Sequence, residues 1–220
     1  MTVLKLSVRD LVKFVYRHGG LFYDADHSES EDTPNSLHSQ LISSAMKNET
    51  DAEHLPEYWL KHFCDKENIR FEVRGRADLI SIFPDNVLRI IEIKTISDES
   101  SKLPSEADIM HMAQAKLYAY MYCIETGVRY QQISVIVRYI LSPAFLLRDF
   151  SEDVSYEDLE VFFNDTIEMI FDFTRSLKDY RLLRDTSIKS MKFPYSELRQ
   201  GQKDFMSAVL DSIRNKDPLY

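Results

Sequence analysis

Two carboxylates and an ammonium stand in this chain at spacings that let them share one patch of sheet. Asp78 closes the run Arg74-Gly-Arg-Ala-Asp78, and Glu92 and Lys94 lie in Ile90-Ile-Glu-Ile-Lys94. On a strand, residues two apart share a face. Glu92 and Lys94 therefore point one way, while Ile91 and Ile93 point into a core. The preceding strand, from about Ile69 to Phe83, must turn at Pro84-Asp85-Asn86. If those three residues form the loop, Phe83 pairs with Val87 and Asp78 falls opposite Glu92. A loop of two or four residues would break that parity and send the carboxylates to opposite faces.

Like charges across a sheet are costly, and one of two adjacent carboxylates tends to take up a proton. A bound Mg²⁺ or Mn²⁺ reverses the balance, because hard cations take carboxylate oxygens and keep positions for water and phosphate. Such a cation polarises a phosphoryl oxygen and lowers the pKa of bound water. Lys94 would orient that water or offset charge developing at phosphorus. A Glu-x-Lys triplet alone is usually an exposed ion pair of little consequence, in a chain that is 29% charged. Asp78 in register changes that weighting.

The elements around this pair add further groups. A helix expected from about Ser36 to Lys47 carries His38, which shares its surroundings with Leu41, Ile42 and Ala45 and would be a core histidine if it stood alone. A second helix is expected over about 51–66, with Glu53 and Glu57 one turn apart. A helix from about Ala107 to Thr126, ended by Gly127, places His111, Gln114, Tyr118 and Tyr122 on one stripe. Ser7 is a plausible cap for a short amphipathic helix over 7–18. Gln132 to Leu141 reads as a β-branched strand, with another over Phe145 to Phe150 after a Ser142-Pro143 turn. Ser155-x-x-Asp158 opens a long helix with something close to a capping box. Ser97 to Ser105 reads as a polar connector.

Asp78, Glu92-x-Lys94 and Gln114-x-x-x-Tyr118, with His38 upstream, resemble the PD-(D/E)xK nuclease superfamily in its RecB-like branch. The resemblance covers roughly residues 5–150. It implies an α/β, restriction-endonuclease-like fold, a mixed central sheet flanked by helices. It also implies Mg²⁺ or Mn²⁺ held by Asp78, Glu92, His38 and the main-chain carbonyl of Ile93, with Lys94 catalytic. Gln114 and Tyr118 would contact DNA or support the site, and Arg76 and His111 are candidates for the same work. Many relatives carry a four-cysteine iron–sulfur cluster. Cys64 and Cys123 are too few to hold one, so no cluster is expected in this segment.

A net charge of −9 counts against DNA binding, which draws on Lys and Arg to neutralise phosphates. Part of the excess lies in one stretch, Asp24 to Asp32, whereas Arg74, Arg76, Arg89 and Lys94 gather near the proposed centre. Weak DNA affinity is expected from this segment by itself. Two unpatterned cysteines and no signal peptide fit a reducing cytoplasm, and no apolar run has the length of a membrane span. With 44% hydrophobic residues the chain can bury a sizeable core.

Near the C-terminus, Lys192-Phe-Pro-Tyr-Ser-Glu-Leu-Arg-Gln-Gly-Gln202 resembles the entry to the motor of XPD/DinG-like superfamily 2 helicases. There Gln202 would read adenine and Arg199 would support it, so ATP belongs to a downstream helicase domain of the same polypeptide. The expected organisation is a nuclease domain over 1–190 and a helicase edge over 191–220. The reading is a metal-dependent DNA nuclease that acts on single strands or ends in DNA repair or processing. Its rival is a non-catalytic DNA-binding module of the same fold that positions the helicase; an RNA-directed nuclease is a weaker third.

Overall fold

A long strand, Ile69–Phe83, organises the protein. The computed structural model describes residues 2–17, 35–96, 102–142, 146–192 and 195–216, without the side chains of 35–38 and 48. In chain order the elements are β1 (Thr2–Ser7), α1 (Val8–Tyr16), α2 (Asn35–Asn48), β2 (Glu53–Lys66), β3 (Ile69–Phe83) and β4 (Val87–Ile96). They continue with α3 (Ile109–Thr126), β5 (Gln132–Leu141), β6 (Leu146–Val154), α4 (Tyr156–Ser190) and α5 (Gln202–Asn215). The acidic stretch 24–32, Pro143, Phe145 and residues 97–101 of the polar connector lie outside the described residues.

The fold is mixed α/β, with one six-stranded sheet ordered β1-β3-β4-β5-β6 and β2 paired to β3. β2 runs antiparallel along nearly all of β3. The other edge of β3 is shared: β1 pairs in parallel with residues 69–74 and β4 antiparallel with 79–83. β4 and β5 are parallel, which requires a crossover, and α3 supplies it. β6 closes the far side antiparallel to β5.

Local chemistry sets the ends of these elements. The Ser7 hydroxyl accepts the Asp10 N–H at 2.9 Å and caps α1. Gly127 takes a left-handed φ of 67° after α3, and its N–H reaches the Cys123 carbonyl. Ser155 accepts the Asp158 N–H at 3.0 Å at the start of α4. The β3–β4 turn uses Pro84, Asp85 and Asn86, with Asn86 at φ 58° donating to Phe83 O, a three-residue hairpin with a left-handed last residue.

The stretch 51–66 corrects the sequence expectation. It is strand β2, not a helix, and Glu53 and Glu57 lie on an edge strand rather than one turn apart. Pro56 disfavours a helix interior, and Tyr58, Trp59, Phe63 and their neighbours favour a pleated surface. Pairing with β3 over its whole length decides the matter. β1, for which the sequence offered no expectation, joins the sheet just before α1.

Two cores lie on the two faces of the sheet. On one, α1, α3 and the first part of α4 pack over Leu60, Phe71, Val73, Ile80, Leu88 and Ile90. On the other, Ile42 and Ala45 of α2 cover Leu79, Ile91, Ile93 and Ile140. The inward series on β3 runs Val73, Ala77, then Ile80, and on β2 it runs Leu55, then Tyr58 and Leu60. Each strand therefore slips its alternation at one place. Leu55↔Ile80 and Tyr58↔Ala77 stay in register, so the strands slip together. On β2 the slip falls where Glu57 adopts φ 49°; on β3 it falls at Asp78.

The chain divides into two compact units, Met1–Thr174 and Arg175–Tyr220. The division falls within α4, ahead of the expected 190/191 boundary, which coincides with the end of that helix. The second unit contains the exposed end of α4 and α5. Among the described residues no helix is long and apolar enough to cross a membrane.

Candidate active site

The hairpin register sets the site. Phe83↔Val87 leads in step to Leu79↔Ile91, and the next pair by count is Asp78 with Glu92. There the backbone ladder gives way to a side chain: Asp78 Oδ2 accepts the Ile93 N–H at 2.7 Å. The bond ties the Asp78 carboxylate to the backbone next to Glu92. The strand slip makes this feasible, because Asp78 sits where the even-numbered residues of β3 pass from one face to the other.

Glu92 and Lys94 continue the inward series of Leu88 and Ile90 and face α3. Both are deeply buried, Glu92 2% and Lys94 8% exposed. The covering helix removes Lys94 from solvent. Lys94 Nζ lies 3.1 Å from Glu92 Oε1 and 3.5 Å from Gln114 Oε1. Gln114 Nε2 in turn donates to the Tyr118 hydroxyl at 3.3 Å. One helical turn separates Gln114 from Tyr118, so both reach the same spot. Burial, then the charge of Glu92 and more weakly that of Asp78, pushes the Tyr118 phenol well above its ordinary pKa, while the Gln114 bond acts the other way. The phenol thus stays protonated beside both carboxylates.

Two residues that sequence reasoning missed complete the frame. Gly75 lies under the Tyr118 ring, where a Cβ would stand 2.7 Å from Tyr118 Cε1 and 2.8 Å from its hydroxyl. The glycine of Arg74-Gly-Arg76 was visible in the sequence, but its partner was not. Tyr139 pairs with Lys94 across β4 and β5. Its hydroxyl accepts the Asp108 N–H at 2.9 Å and meets His111 Nδ1 at 2.8 Å, which fixes the start of α3 over the sheet.

Not every candidate is gathered here. Asp78, Glu92, Lys94, Gln114 and Tyr118 come together, with His111 one step removed through Tyr139. Arg76 is exposed on the opposite sheet face, its Nη1 3.4 Å from Glu57 Oε1. The His38 side chain lies outside the described residues; its position in α2 is one turn before Ile42, which packs with Leu79 and Ile91. Ile93 sends its side chain into that same cluster while its N–H holds Asp78. In the second unit, Gln202 Oε1 accepts the Arg199 N–H at 2.7 Å. These two residues line one cavity with Tyr195, Ser196 and Glu197.

Among the described residues no three His, Cys, Asp or Glu side chains gather to hold a metal ion. The donors that are described, two carboxylates on adjoining strands, are hard oxygens of the type Mg²⁺ and Mn²⁺ take, commonly with one or two carboxylates and the rest water or phosphate. The donor set fits such a cation. Cys64 and Cys123 are free thiols, and burial pushes their pKa values to about 11 and about 12.

No family model matches the chain, and no curated protein matches it. Among solved structures it is similar to SSO0001, at 19% sequence identity over 75% of this chain and 76% of that one, with a TM-score of 0.45.

Proposed function

We propose that this chain is a metal-dependent deoxyribonuclease domain that hydrolyses phosphodiesters of single-stranded DNA or DNA ends, working in the cytoplasm in DNA repair or processing. The observation that carries the reading is the Asp78 carboxylate bound to the Ile93 N–H, beside Glu92 and its partner Lys94. Asp78 and Glu92 would hold Mg²⁺ or Mn²⁺, with the Ile93 carbonyl and His38 as further ligands. When bound, the cation supplies positive charge at the scissile phosphate.

The chain's own groups do the rest. Water attacks phosphorus in line and the bond to the leaving oxygen breaks. Lys94, held by Glu92 and Gln114, is the cation that orients the water or offsets charge growing on the phosphoryl oxygens. Gln114 and Tyr118 keep that ammonium in place, and α3 over the site limits water entry. His111 acts at a distance by anchoring the helix start through Tyr139. The C-terminal segment extends the reading to a helicase motor in the same polypeptide, with Gln202 at adenine, Arg199 in support and ATP bound there.

The test is direct. Labelled single- and double-stranded DNA are incubated with the protein in Mn²⁺, Mg²⁺ or EDTA. Cleavage in either cation and none in EDTA is expected. A protein that binds the strands without cutting them in any cation is the non-catalytic module instead.

A further inference from the structure

The half of the sheet away from α1 and α3 carries a surface that the proposed chemistry does not use. α2 covers Leu79, Ile91, Ile93 and Ile140, and among the described residues of the same unit no helix packs on the neighbouring part, β1, most of β2 and the first half of β3. On that face Trp59 stands opposite Arg76, Lys61 opposite Arg74, and Phe63 opposite Glu72, with Lys5 on β1 beyond. Trp59 is 68% and Phe63 48% exposed, an unusual display for large aromatics in the middle of a strand.

Charge is distributed to match. Lys5, Lys61, Arg70, Arg74 and Arg76 share the face with Glu57, Asp65 and Glu72, a local cationic excess on a chain of net charge −9. Arg76, Arg70 and Lys61 are engaged by Glu57, Asp65 and Glu72 respectively. Among the described residues Lys5 and Arg74 make no ion pair. Lys61 Nζ also lies 4.7 Å from the centre of the Phe63 ring. Exposed rings interleaved with cations suit unpaired bases and their phosphates, since stacking tolerates any base and cations track the backbone. A duplex offers its base faces to neither ring.

Direction follows from the strand slip. Arg74 and Arg76 lie on the open face, Ile80 lies on the α3 face, and Asp78 is the residue between. A strand followed along β3 past Arg74 and Arg76 arrives at Asp78. We infer that the open face of β1, β2 and β3 is a platform for single-stranded DNA, on which Trp59 and Phe63 stack bases and Arg74, Arg76 and Lys5 meet phosphates, leading the strand to Asp78. The inference rests on the proposed nuclease reading for its direction, but binding to the face needs no metal.

Trp59 is the chain's sole tryptophan, so its emission reports the platform alone. The full chain is titrated with oligo(dT) in EDTA, followed by Trp59 fluorescence and by anisotropy of a labelled strand. Quenching is expected, with duplex of equal length far weaker. Trp59→Ala should bind roughly 5- to 150-fold more weakly, the range for one lost aromatic–base stack, and Trp59→Phe should recover most of that loss. Arg74→Gln should lower the salt slope of log K by about 0.7, one phosphate contact on a single strand. Unchanged emission, equal affinity of Trp59→Ala, or preference for duplex overturns the platform. Emission that changes with protein concentration and not with DNA assigns the face to a second copy of the chain and also overturns it. Cleavage in Mn²⁺, measured in parallel, separates the two readings: binding without cleavage removes the nuclease alone, and cleavage with these variants binding normally removes the platform alone.

Discussion

Gly75 on β3 and Tyr118 on α3 approach so closely that a Cβ at position 75 would lie 2.7 Å from the ring edge and 2.8 Å from its hydroxyl. The same Cβ would come within 3.1 Å of Val8 Cγ2, so it would be crowded by two side chains at once. Since Tyr118 holds Gln114 and Gln114 holds Lys94, this contact sets the height of α3 above the site.

Gly75→Ala is therefore expected to cost about 1–3 kcal/mol, as overpacked core substitutions do, and to lower cleavage beyond the loss of folded protein. Urea melts and assays at matched folded fraction check it. Gly75→Ala combined with Tyr118→Leu should cost less in stability than the two single costs added, because the pair shares one contact. Additive losses would show that the contact is slack.

Lys94→Ala removes one partner of a buried ion pair. It is expected to abolish cleavage and, in EDTA, to destabilise the fold by about 3–5 kcal/mol, the usual cost of leaving a buried charge without its counter-ion. Mn²⁺ should recover part of that stability by supplying positive charge at Glu92. Thermal melts with EDTA and with Mn²⁺ make the comparison; a variant that melts like the wild type in both contradicts it.

His62 on β2 gives a pH dependence away from the site. Its ring lies 5.3 Å from that of Phe163 and 6.0 Å from that of Tyr120, both edge-on, and burial lowers its pKa below 6.5. The neutral ring is the one the fold accepts. Its contribution is present above the unfolded pKa of about 6.5 and is lost as pH falls from there through the lower folded value. The wild type should lose more stability than His62→Phe between pH 7.5 and pH 5. Parallel stability–pH curves would remove His62 from this role.

His38→Ala should weaken Mn²⁺ affinity by roughly 10–100-fold, the scale of a lost ligand-shell group, with little change in melting temperature in EDTA. Calorimetric titration checks the affinity. The opposite pattern, unchanged affinity with a lowered melting temperature, makes His38 a core residue of α2.

How far the sequence reaches is seen at particular residues. Pro84, Asp85 and Asn86 define a turn whose length sets the β3–β4 pairing from Phe83↔Val87 to Leu79↔Ile91, so the count that brings Asp78 to Glu92 is readable from loop length, whereas the slip of alternation at Asp78 is not. Ser7, Gly127 and Ser155 mark helix ends through bonds made within a few residues, and these are equally readable. The spacing of Glu53 and Glu57 imitates a helical turn, whereas Pro56 opposes a helix interior and the pairing of β2 with distant β3, which no local pattern encodes, makes the strand. Gly75 and Tyr139 escaped notice for the same physical reason. Each matters through a contact across the fold, with Tyr118 or with Lys94 and Asp108, that no local pattern encodes. The depth of Lys94 likewise depends on a helix laid over the strand.

The most direct measurement compares wild type with Asp78→Asn for cleavage of labelled single-stranded DNA in Mn²⁺, alongside calorimetric titration of Mn²⁺. An asparagine oxygen still accepts the Ile93 N–H, so the fold should remain while the negative charge is lost. The wild type is expected to cut and to bind Mn²⁺; Asp78→Asn is expected to melt close to wild type, to bind Mn²⁺ poorly and not to cut. Cleavage by Asp78→Asn at the wild-type rate, or no cleavage by the wild type in any divalent cation, would contradict the account.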